Sequence, residues 1–117
     1  MVASTHPAPS RPKEVIEAGV KDDSGKPRWG LLPYDALEEV VKVLTRGAEI
    51  YSSRNWEQGI DFERLFSAAQ RHQTAWWQKG EDLDESGFNH LAHATCELLF
   101  LLALQLRGQK SWDNRPR

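Results

Sequence analysis

The stretch HLAHATCELLFLLALQL, His90–Leu106, constrains the fold more than any other part of the chain. Leu91, Leu98, Leu99, Phe100, Leu101, Leu102, Leu104 and Leu106 leave it apolar on nearly every side. A helix of this kind is normally central, with neighbours packed on several faces. It is too short to span a bilayer and is interrupted by Gln105. The pattern predicts a helix that begins after Asp84–Gly87, runs to about Arg107 and stops at Gly108, a residue type suited to a helix C-terminus.

Two further helices are expected around it. The first begins near Pro33 or Tyr34, since proline suits a first helical turn and Asp35 suits the positive end of the helix dipole. Leu37, Val40, Val41, Leu44, Ala48 and Tyr51 recur at helical spacing, while Asp35, Glu38, Glu39, Lys42, Arg46 and Glu49 fall on the other side. The second covers Asp61–Lys79, with Asp61 as N-cap and Phe62, Leu65, Phe66, Ala69 and Trp76 facing inward. No strand alternation and no internal repeat is present. The expected fold class is therefore all-α, a helical bundle of three long helices plus short pieces. Two helices cannot cover a third that is apolar all round, so the bundle is expected to be completed by oligomerisation as a dimer or tetramer. With 117 residues the chain suits one domain. The expected layout is a flexible N-terminal arm over 1–20, a single all-α catalytic domain over 21–107, and a loose tail over 108–117 in which Trp112 could anchor a partner subunit.

Composition excludes several roles. The net charge is −2 with both signs mixed, which gives no general pull toward nucleic acid or an anionic membrane. The one cysteine, Cys96, lies in the apolar run and reads as a small buried thiol. The opening MVASTHPAPSRPKEV has no apolar h-region, which argues against a secretory leader and for a cytoplasmic setting, and His6 within it is discounted as a ligand. Among the tryptophans, some are expected in the core or a subunit interface and one on a nucleotide base.

The polar residues suggest a site. His90, His93 and Glu97 are spaced by three and four and share one helix face, so two imidazoles can reach one ion while the carboxylate ligates or orients a ring. The bland alternative is a pair of hydrogen-bonded core histidines. Glu81, Asp84 and their acidic neighbours crowd the connection into that helix. Part of this is capping, but four acids within five residues repel one another unless solvent or a cation is present. Asp35, Glu38 and Glu39 alone read as a solvated face beside Lys42. Lys26, Arg28, Arg46, Arg54, Lys79 and Arg71 could bind phosphate, and Arg71, next to His72 in an apolar helix, is the best placed. SGKPR lacks the spacing of a phosphate-binding loop, and neither a zinc-finger pattern nor a nucleophile elbow is present.

Taken in order, DSGKPRWGLLPYDALEEVVKVLTRGAEIY, then NW, RH, GEDLDESG and HLAHA resemble a phage family of dATP/dGTP diphosphohydrolases, MazG-like members of the all-α NTP pyrophosphohydrolases. The resemblance covers about Asp23–Leu106. Classical MazG proteins carry ExxE on one helix and ExxD on the next. Here RHQTA stands where the first acids belong and HLAH where ExxD belongs, while the ExxD spacing of Glu81–Asp84 falls in a loop. Either histidines replace some ligands, or Asp35, Glu38, Glu39, Glu81 and Asp84 supply the carboxylates.

The resemblance implies cleavage of a purine (deoxy)nucleoside triphosphate between the α and β phosphates, dGTP or GTP favoured and dATP possible. The products are the monophosphate and pyrophosphate, and in phages the reaction is linked to 2-aminoadenine DNA. It implies two or more Mg²⁺ or Mn²⁺ ions held from Glu38, Glu39, Glu81, Asp84, His90 and His93. Glu39 would accept the proton of the attacking water, and Arg71 and Lys26 would cover charge on the pyrophosphate. Lys26, Arg28, Trp29, Asn55, Trp56, Arg71 and His72 would bind the nucleotide, with Trp29 or Trp56 stacked on the base and Asn55 on its edge. The competing reading is a non-catalytic helical interaction protein with acids on its surface and histidines in its core. A small nucleic-acid-binding domain using Lys26, Arg28 and the tail arginines is disfavoured by the net charge.

Overall fold

The computed structural model describes residues 19–117. It is all-helical: α1 is Tyr34–Ile50, α2 is Phe62–Gln78 and α3 is His90–Leu106, with short 3₁₀ turns at Trp29–Leu31, Asn55–Gln58 and Lys110–Trp112. The chain divides into two compact units, Met1–Pro33 and Tyr34–Arg117. Apart from its last two positions, the arm expected over 1–20, with His6, lies outside the described residues. In the first unit the amide of Lys26 bonds the carbonyl of Asp23 at 3.0 Å, and Leu31 and Leu32 close the 3₁₀ turn onto Arg28 and Trp29.

In the second unit the helices start and stop for local reasons. Asp35 accepts a hydrogen bond from the amide of Ala36 at 2.8 Å in the first turn of α1. Asp61 occupies the N-cap position of α2, where its carbonyl receives the amides of Arg64 and Leu65 while its side chain makes no cap bond. The start of α3 falls after Asp84–Gly87 as expected, but its cap differs. Asn89, not an acid of the preceding stretch, caps it, its side chain accepting from the amide of Leu91 at 2.8 Å. Such a cap contributes about 1 kcal/mol. The acidic stretch instead forms a closed loop. Glycines at positive φ, Gly80 (68°) and Gly87 (85°), turn the chain. The amides of Asp84, Gly87 and His90 bond the carbonyls of Phe88, Asp84 and Asp82.

As expected, α3 is the shared element and packs on both α1 and α2. Val40, Ala92 and Cys96 form one core cluster with Val43, Leu44 and Phe100; Phe62, Leu65 and Leu104 form another with Trp56, Ile60 and Leu101. Much of the contact surface is small: Ala69 and Ala75 on α2, and Ala92, Ala94 and Cys96 on α3, are all buried. Small side chains let helix axes approach closely, and that brings the histidines of α2 and α3 within reach of each other. Phe66, expected inward, is 54% exposed because the Phe62–Leu65–Ala69 stripe already fills the core. Leu98, Leu102 and Leu106 lie on the face of α3 that its neighbours leave exposed. No helix of the described residues is long and apolar enough to cross a membrane.

The tail, expected to be loose, is fastened to its own chain. The amide of Glu63 donates to the side-chain oxygen of Asn114 at 2.9 Å. The Trp112 ring lies against Gly59, where a β-carbon would collide with it, and Gly59 also has a φ of 113° that strongly favours glycine.

Candidate functional site

An open groove of about 1220 Å³ runs between α1 and α2 over a floor made by α3. His93, Glu97 and Phe100 form that floor at helical spacing. Arg64, Ser67, Ala68 and Arg71 line it from α2, Val43, Arg46, Gly47 and Ile50 from α1, and Arg54, Asn55 and Trp56 from the connection between them. Arg107 also reaches it. Arg46 and Arg54 stand 3.7 Å from Glu49 and Glu57, and Arg107 pairs with Glu57. Arg64 and Arg71 form no close ion pair among the described residues, although Arg71 lies near enough to Glu97 to act on its carboxyl. Arg71, although set in an apolar helix next to His72, is exposed.

Beside the groove α2, α3 and the acidic loop converge. His72, in the middle of α2, sits between the two α3 histidines. Its Nδ1 lies 2.8 Å from Nδ1 of His90, and its ring stacks on that of His93 at 4.5 Å with planes 7° apart. Nε2 of His93 is 3.0 Å from Oδ2 of Asp84, and Nε2 of His90 is 3.4 Å from Oε1 of Glu81. Oε1 of Glu97 is 4.0 Å from Nε2 of His72. Ser86 donates to Asp84 through both its amide and its hydroxyl, which fixes the carboxylate toward His93. The edge of Phe88 closes the far side of the His93 ring. Among the described residues, His72, Asp84 and His93 form the group able to hold a metal ion, with one donor atom from each within 4.8 Å of the others.

Electrostatics keep these donors ready. Burial lowers the pKa of His72, and the neighbouring rings of His93 and His90 lower it further, against the pull of Asp84. Burial does the same to His93, again opposed by Asp84. Both rings are therefore held toward the neutral form, which alone has a lone pair for an ion. Burial raises the Asp84 carboxyl, but the Ser86 hydrogen bonds, the His93 ring and the Phe88 amide outweigh it, and its pKa is lowered overall. Glu97 goes the other way: burial pushes its carboxyl up to about 7, although Arg71 opposes the rise.

The residues singled out in the sequence fall into four sets. Asp84, His90 and His93 meet in the cluster, with Glu81 at its edge. His72, assigned there to the nucleotide, belongs to the same cluster. Glu38 and Glu39 stand exposed on α1, where Glu39 holds Lys42 at 2.8 Å, and neither lines the groove. Asn55 and Trp56 do line it, but the Trp56 ring is engaged by Phe100, stacked at 4.7 Å, and by Arg107, 5.1 Å from the ring centre. Lys26, Arg28 and Trp29 belong to the first unit. Sequence reasoning underused Glu97 and overlooked Arg64. The signals were present: Glu97 lies one turn beyond His93, and Arg64 lies two turns before Arg71.

Comparison with known proteins agrees with this assembly of motifs. Residues 16–115 match the family model described as "dATP/dGTP diphosphohydrolase, N-terminal". A protein of Salmonella phage PMBT28 named "dATP/dGTP diphosphohydrolase" is 37% identical over 97 residues, which is 83% of this chain. The chain spans about a third of that relative, 33% of its length. No solved structure matches.

Proposed function

Because the chain belongs to the dATP/dGTP diphosphohydrolase, N-terminal, family, we propose that it hydrolyses a purine (deoxy)nucleoside triphosphate between the α and β phosphates. The products are the nucleoside monophosphate and pyrophosphate, with dGTP or GTP favoured and dATP accepted. The observation that carries this reading is the groove itself: Arg64 and Arg71 of α2 line it together with His93 and Glu97, which belong to a half-buried cluster of imidazoles and carboxylates.

A triphosphate brings about four negative charges, and guanidinium groups match phosphate oxygens with paired N–H donors. Arg64 and Arg71, on one face of α2, suit the polyphosphate chain, with Arg46 and Arg54 across the groove. Arg71 would also cover charge that develops on the leaving pyrophosphate. His72, His93 and Asp84 are the residues that would hold a divalent cation, which supplies charge neutralisation and a more acidic bound water when present. Glu97 lies beside this group, and a carboxyl held near pH 7 suits a general base that takes the proton of the attacking water. Glu97 thereby takes the role expected of Glu39. Asn55 is left to read a base edge from the rim of the groove.

The exposed stripe Leu98, Leu102 and Leu106 supports self-association of the chain as a dimer or tetramer. A link to 2-aminoadenine DNA would follow from dGMP as product. The direct test incubates the chain with a panel of NTPs and dNTPs, with and without chelator, and resolves the products. Pyrophosphate and dGMP in equal amounts, lost on chelation, are expected. Inorganic phosphate without pyrophosphate, or no turnover of any purine nucleotide, would contradict the proposal.

A further inference from the structure

We propose that Nε2 of His72, Nε2 of His93 and the Asp84 carboxylate form a centre for one imidazole-preferring first-row transition ion, of the Fe²⁺, Co²⁺ or Zn²⁺ type, in preference to Mg²⁺. In this proposal Glu81 and His90 are positioning residues that hold His72 in its ligating tautomer. It rests on the hydrolase reading only for what the ion is used for.

The donor chemistry decides the class of ion. Mg²⁺ demands near-octahedral oxygen ligands and keeps several of its waters. Two imidazoles and one carboxylate with the remaining positions open are instead the set that borderline transition ions take. The geometry is compatible. Ion–ligand distances near 2.1 Å place neighbouring donors about 3–3.4 Å apart, and Nε2 of His93 lies 3.0 Å from Oδ2 of Asp84. One donor atom from each of His72, His93 and Asp84 lies within 4.8 Å of the others, and seating the ion requires the His72 and His93 rings, stacked with planes 7° apart, to rotate until their in-plane lone pairs converge.

The hydrogen-bond pattern then fixes the tautomers. Two Nδ1 atoms 2.8 Å apart, on His72 and His90, need one proton between them. If His72 donates, its own Nε2 is bare and free to ligate, and His90 carries its proton on Nε2, toward Glu81 Oε1 at 3.4 Å. If His90 donates, its Nε2 becomes a bare lone pair facing a carboxylate with nothing between them. His90 is 7% exposed and its Nε2 has no regular hydrogen bond, so that second arrangement would leave two acceptors opposed at a buried atom. An unsatisfied buried acceptor is costly, and the first arrangement prevails. Carboxylate, outer imidazole and ligating imidazole thus form a line, the familiar way in which an outer partner sets ring orientation and ligand basicity. His90, which the sequence offered as a ligand, has its Nδ1 committed to His72 and acts one step back from the ion.

The test uses the full chain stripped with chelator. Titration with Co²⁺ should produce visible ligand-field absorption, and calorimetry should give Co²⁺ or Zn²⁺ an affinity at least about 100-fold above that for Mg²⁺. His93→Ala should abolish the Co²⁺ spectrum. His90→Ala and Glu81→Gln should keep a spectrum but weaken binding by roughly 10–100-fold, with the band positions of His90→Ala shifted. Equal affinity for Mg²⁺ and Co²⁺, no Co²⁺ absorption, or a spectrum unchanged in His93→Ala would overturn the proposal. The ion comparison on the unsubstituted chain decides even if a variant fails to fold. Pyrophosphate release by a chain that gives no Co²⁺ spectrum would sink this inference and leave the hydrolase reading intact. A Co²⁺ centre without nucleotide turnover would do the reverse.

Discussion

Glu38 and Glu39 of α1 and the acids of the loop before α3 occupy different surroundings. The first pair projects from an exposed helical face, and Glu39 is satisfied by Lys42 one turn away on the same helix. Asp84 is held by Ser86 against His93, and His93 stacks on a ring from α2. One group has partners only from its own helix; the other draws partners from α2, α3 and the loop between them. Local crowding of charge is cheap to solvate, whereas convergence from several elements requires the fold to hold unlike groups together. That difference separates a solvated face from a site.

The largest effect that can test this contrast is expected at Glu97. Glu97→Gln removes the proposed base without changing shape, and kcat for dGTP should fall by about 10²–10⁴-fold. The sign of the pH dependence follows from its raised pKa: the base works when deprotonated, so kcat should climb with pH through about 7 and flatten above it. A rate profile that keeps this limb in the glutamine variant would assign the titration to another group. Next, Arg71→Ala should cost about 10²-fold in kcat/KM for dGTP while leaving the thermal transition in place, measured by steady-state kinetics and far-UV circular dichroism.

How much of this was legible before the structure depends on what each feature requires. The three helices were readable from apolar spacing, and the shared position of α3 followed from its all-round apolarity. His90, His93 and Glu97 could be placed on one face because a helix has a fixed period. The entry of His72 between them could not be read, because it depends on how α2 packs along α3, which the spacing within either helix does not specify. Asp84 was named as a candidate ligand, but its pairing with His93 could not be read. Its direction comes from a loop closed by backbone bonds and two positive-φ glycines, where crowding of acids suggested a cation without saying which acid would meet the histidines. The same limit made Glu39 the expected base, with Glu97 considered only as a ligand or a group that orients a ring.

Smaller effects sharpen the comparison. Asn89→Ala removes the cap that fixes where α3 begins and should lower stability by about 1 kcal/mol in urea unfolding. Glu39→Gln should change stability by no more than about 0.5 kcal/mol and turnover by less than about twofold, as for other exposed pairs. A large loss of rate in that variant would erase the contrast drawn between the two acidic regions.

The most direct measurement is pyrophosphate release from dGTP by two variants under identical conditions, His93→Ala and the double substitution Glu38→Ala with Glu39→Ala. Turnover lost in the first and retained in the second is the result predicted by a site at the meeting of α2, α3 and the acidic loop. Turnover retained in the first and lost in the second would contradict it and move the chemistry to α1.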